Sequence, residues 1–145
     1  MASDPIDRAG AWHPLHGMLA AYPLVCFTGA LVTDVTYANT AEMQWANFSV
    51  WLIAAGVIMG VLAAIAGIVD ALRTRHTRRR SSWLHSLLTA ATFVVAIVNG
   101  FIHSRDAWTS VVPGGLVLSA ITAVLVLASS WMGYKMLGQR RAGVA

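Results

Sequence analysis

Charged residues are scarce in this sequence: only 11% of its 145 residues are Asp, Glu, Lys or Arg, whereas 57% are hydrophobic. Soluble domains carry roughly 25% charged residues, so this chain has too little charge to cover a surface that faces water. Its apolar side chains must therefore face another medium, and a lipid bilayer is the simplest candidate. The length corresponds to one domain.

Cysteine and the common enzyme motifs are also nearly or wholly missing. Cys26 is the single cysteine, so the chain forms no intrachain disulfide and carries no sign of an oxidising compartment. The N-terminal residues lack the basic segment of a secretory signal, and we expect them to be retained. We find no nucleophile elbow, no phosphate-binding glycine loop and no pair of catalytic carboxylates. The sequence therefore assigns no enzymatic activity.

Four apolar runs are long enough to cross a bilayer, which takes about 20 residues in a helix. They cover 17–36, 49–72, 84–103 and 114–137. None shows the alternation of a strand, and short connections make sequential helices antiparallel neighbours. The prediction is an all-α integral membrane protein in which four transmembrane helices form an up-and-down bundle.

Positive charge is concentrated in the connection between the second and third spans and in the C-terminal tail. The basic residues there are Arg73, Arg75, Arg78, Arg79, Arg80, Lys135, Arg140 and Arg141. Segments rich in Lys and Arg stay in the cytoplasm, so both termini are predicted to be cytoplasmic. An N-terminal segment 1–16 and a basic tail 138–145 then flank a membrane domain 17–137. This bias explains the net charge of +4 without nucleic acid as a partner.

The third span carries its polar residues on one face. In alternating steps of four and three residues, that face holds His85, Thr89, Thr92, Ala96, Asn99 and His103. Such a line is costly against lipid, so we expect it to face protein. The second span instead has a stripe of small residues ending in a carboxylate: Gly56, Gly60, Ala63, Gly67 and Asp70. Small residues let helix backbones approach closely in a membrane.

Two polar clusters result when these two faces and the polar residues of the first span turn toward each other. The histidine cluster, at the end predicted to be cytoplasmic, consists of His13, His16, Asp70 and His85. The Asp34 cluster, at the opposite end, consists of Asp34, Asn99 and His103, with Glu42 nearby. Ionisable residues within spans are candidate functional residues.

Several positions in this chain match the pattern of a known family. They are His13, Pro14, His16, Tyr22, Pro23, Asp34, Gly67, Asp70, Leu84, His85, Trp131 and Gly133. The opening His-Pro-x-His, followed by an aromatic–Pro pair, resembles a bacterial membrane family catalogued as domain of unknown function 2231. Members often carry a further histidine where this sequence has Ala21. The resemblance implies four spans in the bacterial cytoplasmic membrane and no particular activity.

The histidine cluster has the composition of a redox-cofactor site. Ligation of a b-type haem by two histidines needs imidazoles at one depth on facing helices. His16 and His85 meet that requirement, and Asp70 or the loop arginines would meet the haem propionates. His103 lacks a histidine partner, so only one such haem is expected. The hypothesis is a small membrane subunit that binds haem b and transfers electrons to a redox partner.

Three other interpretations stay open. His13, His16, His85 and Asp70 together offer the ligands of a transition-metal site. The two polar clusters also suit a path for protons or a small solute. Alternatively, these residues serve structure alone, and the protein is an assembly subunit or anchor without a cofactor. Its partners would then be lipid, another membrane subunit or a second copy of the chain.

Overall fold

The computed structural model describes residues 13–73, 83–105 and 107–141, with side chains at 16–69, 72, 83–105 and 109–136. The described chain forms four α-helices: α1 His13–Thr40, α2 Met43–Arg73, α3 Trp83–His103 and α4 Gly114–Arg141. A short 3₁₀ helix, Ala107–Ser110, precedes α4.

All four helices are long and apolar enough to cross a membrane, which confirms the predicted four-helix membrane fold. Each predicted span lies inside one helix. The helices extend further than the spans, because backbone hydrogen bonding continues into the more polar flanking residues. α1 begins at His13, four residues before the predicted first span, and it continues through Pro23.

The helices form a closed ring in chain order. Each packs against its sequence neighbours, and α1 also packs against α4. α1 and α3 are therefore diagonal to each other and run in the same direction. Large apolar side chains cover the outside of the bundle, as lipid exposure requires; Ile58, Phe101 and Trp131 are among them.

Two apolar layers form the interior. The middle layer joins α1, α3 and α4 through Phe27, Ala96 and Val126. The end layer consists of Tyr37, Ala46 and Val111, and it lies about one helical turn beyond Asp34 along α1. The Asp34 cluster therefore lies between two apolar layers.

The Gly56-x-x-x-Gly60 motif of α2 receives aromatic rings from its own chain. A Cβ atom at Gly56 would lie 2.5 Å from Cε1 of Phe27 on α1, and a Cβ atom at Gly60 would collide with Phe93 on α3. The sequence left open whether this motif packs within one chain or between chains. The structure uses both glycines inside the bundle, where they let α1 and α3 approach α2.

Gly56→Ala is expected to lower the free energy of unfolding by about 1–3 kcal/mol, because Phe27 is buried and has little space in which to move. Gly17→Ala is the matched control, since a Cβ atom there meets nothing within 4 Å. Reversible unfolding by SDS in mixed micelles measures both. Equal effects of the two substitutions would contradict this account of the motif.

Candidate functional site

Asp34 is fully buried, and its carboxylate accepts hydrogen bonds from three other helices. On Oδ1 the donors are the Ser49 hydroxyl of α2 and Nε2 of His103 of α3, the latter at 2.9 Å. On Oδ2 the donor is the Ser119 hydroxyl of α4. The carboxylate therefore joins all four helices at one point.

A second set of hydrogen bonds orients these donors. The Thr33 and Ser49 hydroxyls lie 2.6 Å apart and either can be the donor, because the main-chain oxygens of Gly29 and Ala30 also accept from Thr33. Asn99 Nδ2 likewise donates to Ser119 Oγ at 2.8 Å. His103 Nδ1 lies 3.0 Å from the main-chain oxygen of Asn99, which can only accept, so Nδ1 carries a hydrogen.

The structure brings the three predicted members of the Asp34 cluster together. Glu42 lies apart from them: it is exposed and accepts a hydrogen bond from Gln44. Sequence reasoning missed Ser49, which lies at the edge of a predicted span and gave no signal beyond its hydroxyl. Sequence reasoning also left Ser119 of α4 out of this cluster.

His16 and His85 are each held by the main chain of the next helix. His16 Nδ1 donates to the carbonyl oxygen of Ala63 on α2 at 2.8 Å. His85 Nδ1 donates to the carbonyl oxygen of Ser129 on α4 at 3.1 Å. Carbonyl oxygens only accept, so both imidazoles carry hydrogen on Nδ1. In the neutral ring this leaves the Nε2 lone pair available, and the described residues place no hydrogen-bond partner on it.

These two histidines lie at one depth. Each precedes its helix's member of the Asp34–His103 pair by 18 residues, and α1 and α3 run in the same direction. With a rise of about 1.5 Å per residue, both are about 27 Å from that pair. Glycines flank both rings: a Cβ atom at Gly67 would lie 3.1 Å from His16 Nδ1, and one at Gly133 would lie 3.6 Å from His85 Cε1.

The remaining members of the histidine cluster are placed by backbone only. His13 opens α1 and Asp70 lies near the end of α2, but their side chains lie outside the described residues. Within the part of the chain that the structure describes, no group of three or more His, Cys, Asp or Glu side chains is arranged to hold a metal ion. The four-ligand metal site therefore stays a prediction.

The two polar clusters are separated in this conformation. Thr89 and Ser129 share a hydrogen bond of 2.8 Å near His85, and they extend the polar line toward the middle of the bundle. The apolar layer of Phe27, Ala96 and Val126 then interrupts that line. A path for protons or a solute would require this layer to open.

Gly115→Ala is expected to destabilise the Asp34 cluster. A Cβ atom at this position would lie 2.7 Å from both His103 Cε1 and the main-chain oxygen of Ser110, so the imidazole must shift from Asp34. The expected loss in the free energy of unfolding is about 1–3 kcal/mol. At the adjacent Gly114 the nearest atom would be 3.8 Å away, which makes Gly114→Ala the control. SDS unfolding curves compare the two variants, and a loss in Gly114→Ala as large as in Gly115→Ala would refute this explanation.

Comparison with known proteins supports the membrane architecture. The chain matches no curated protein and no solved structure at a significant level of similarity. A family model does match residues 12–145, which include all four helices and both polar clusters. The chain therefore belongs to the family described as predicted membrane protein (DUF2231).

Proposed function

We propose that this protein is a small membrane subunit that binds one b-type haem between His16 and His85 and transfers electrons to a partner. The observation that carries the proposal is the hydrogen-bonding pattern that the two imidazoles have in common. Each donates from Nδ1 to a main-chain carbonyl and keeps Nε2 free of hydrogen bonds within the described chain.

This hydrogen-bond pattern is what a metal-ligating histidine requires. Ligating histidines usually donate their other ring N–H to a carbonyl or carboxylate, which fixes the tautomer and the ring orientation. Here the acceptors belong to different helices, so the two rings are positioned independently. A pair of surface histidines would have no reason to share this arrangement at the same depth.

The bundle geometry supports the same assignment. α1 and α3 are diagonal, so the two histidines lie on helices that are opposite each other in the ring. Gly67 and Gly133 add no side-chain bulk beside the rings. His16 and His85 would hold the haem, which would supply one-electron redox chemistry at a potential that depends on its imidazole ligands and on burial. The residues of the chain supply orientation, a low dielectric and shielding from water.

The test is an absorption spectrum of the detergent-purified protein, oxidised and then reduced with dithionite, from cells with adequate haem supply. We expect a Soret band that sharpens and shifts on reduction. His16→Ala and His85→Ala should each abolish haem retention while the protein still inserts in the membrane. His103→Gln is the control, because it changes a histidine of the Asp34 cluster and should retain haem.

Full haem retention in both His16→Ala and His85→Ala, or a featureless spectrum of the wild type, would refute the proposal. Metal analysis of the same preparation separates a haem-free metal site from a protein without a cofactor.

The same two hydrogen bonds favour one alternative function. They join α1 to α2 and α3 to α4, so the histidines would also suit an assembly subunit in which they fix the helix pairs. That function predicts no cofactor in the wild type. It also predicts loss or destabilisation of a partner membrane protein when the chain is deleted.

The proposal includes an orientation. The arginine-rich connection between α2 and α3 supports an orientation with the histidine end of the bundle at the cytoplasmic face of a bacterial membrane. Single cysteines placed at Arg78 and at Gln44, in a chain with Cys26→Ser, test it. A membrane-impermeant thiol reagent applied to intact cells should label position 44 and leave position 78 unlabelled. The reverse pattern would overturn the orientation.

A further inference from the structure

The Asp34 cluster suggests a function of its own, separate from the histidine cluster. Asp34 and His103 are completely buried in their side chains and lie 2.9 Å apart. Neither forms part of the proposed haem site. The hydrogen-bond partners around them determine how many protons the pair can hold.

The two contacts of the His103 ring determine how many hydrogens the Asp34–His103 pair carries. Nδ1 faces the Asn99 carbonyl oxygen, which accepts only, so this nitrogen is protonated. Nε2 faces Asp34 Oδ1, and that contact also needs a hydrogen. An ionised Asp34 beside a neutral His103 would place two lone pairs against each other. The Asp34–His103 pair therefore holds one proton more than an ionised Asp34 and a neutral His103 would hold together.

The surrounding donors stabilise negative charge on Asp34, which assigns the additional proton to His103. Ser49 and Ser119 both direct their hydroxyl hydrogens to the carboxylate, and Asn99 donates to Ser119 in turn. Because the Ser119 hydroxyl donates its hydrogen to Asp34, Asn99 must turn its NH₂ group toward Ser119. The Asn99 Oδ1 atom is then buried with no hydrogen-bond partner among the described residues.

That unpartnered oxygen has a physical cost. Leaving a buried acceptor unsatisfied is unfavourable, and the gap beside Asn99, lined mainly by Phe27, Ala30, Ile53 and Ala96, is too narrow for a water molecule. The hydrogen bonds to Asp34 must therefore outweigh the cost of the unsatisfied Asn99 oxygen. An ionised carboxylate paired with an imidazolium gains most from three converging donors.

We propose that Asp34 and His103 form a buried proton-binding site, in which one proton is held between α1 and α3 and sealed by the two apolar layers. The ligand of this site is the proton itself. Release to water requires the end layer of Tyr37, Ala46 and Val111 to open, so proton exchange is coupled to movement at this end of the bundle.

The other titratable groups at this end of the bundle do not contribute to proton binding by Asp34 and His103. Among the described residues of α1, α2 and the segment after α3, these are Tyr37, Glu42 and Arg105. Glu42 and Arg105 are exposed, and the Tyr37 hydroxyl donates to Met43 Sδ. The titratable residues of α4 are Tyr134, Lys135, Arg140 and Arg141, and all four lie at the opposite end of the bundle.

Proton release on unfolding tests the proposal. At about pH 8 an unfolded chain has ionised aspartate and mostly neutral histidine, since their ordinary pKa values are about 3.9 and 6.5. Unfolding the wild type by SDS and urea in weak buffer should therefore release about one proton per chain more than Asp34→Asn, as a pH-indicator dye records. In the variant the amide of residue 34 donates to a neutral His103, so no extra proton is held.

Linkage between proton binding and folding gives the direction in which stability changes with pH. The folded wild type binds the additional proton, so its folding equilibrium constant should fall by about tenfold per pH unit near pH 8, relative to Asp34→Asn. Glu42→Gln is the control and should behave as the wild type. Equal proton release by wild type and Asp34→Asn would overturn the proposal.

A second measurement covers the case in which Asp34→Asn does not fold. In wild-type protein with ¹⁵N-labelled histidine, the His103 ring is assigned by its loss in His103→Gln. Hydrogen on both ring nitrogens at about pH 8 supports the proposal, as does a protonated carboxyl band in the infrared spectrum. A bare Nε2 together with an ionised Asp34 overturns it. The absorption spectrum for haem plays no part in either result, so the two proposals fail independently.

Discussion

The structure depends on one constraint: a polar group inside a membrane bundle must find its partners within the protein, because lipid offers none. Asp34 presents the most demanding case, since its carboxylate is fully buried. Three donors from three helices satisfy it, and each donor is oriented by a further hydrogen bond. The angular and axial positions of α2, α3 and α4 around α1 are thereby restricted at one level of the bundle.

Close packing makes this polar network possible. Glycine at position 115 lets the His103 imidazole and the Ser110 carbonyl occupy the space that a methyl group would need. Gly56 and Gly60 likewise admit Phe27 and Phe93 into the interior. Phe27 belongs to the middle layer, which separates the two polar clusters. Small residues thus do more than bring backbones together, because they decide where the large side chains go.

The two ends of the bundle use histidine in different ways. His103 has an oxygen atom at each ring nitrogen, the Asn99 carbonyl oxygen at Nδ1 and the Asp34 carboxylate at Nε2. His16 and His85 each have one carbonyl acceptor and one nitrogen without a hydrogen-bond partner among the described residues, as a metal-ligating histidine does. In our two proposals the same residue type binds a proton at one end and a cofactor at the other. The difference lies entirely in the acceptors that neighbouring helices supply.

Sequence alone determined the fold class and much of the placement. Long apolar runs require four spanning helices, and the helical period puts Asp34, Asn99 and His103 on inward faces. The equal 18-residue intervals also place His16 and His85 at one depth, once α1 and α3 run in the same direction. Only the tertiary structure decided the hydrogen-bond partners. Ser49, the Ala63 carbonyl and the Ser129 carbonyl belong to neighbouring helices, and which of their atoms faces a given histidine or carboxylate depends on helix rotation and axial shift. Those two quantities follow from packing across the whole interface, which no local pattern in the sequence contains.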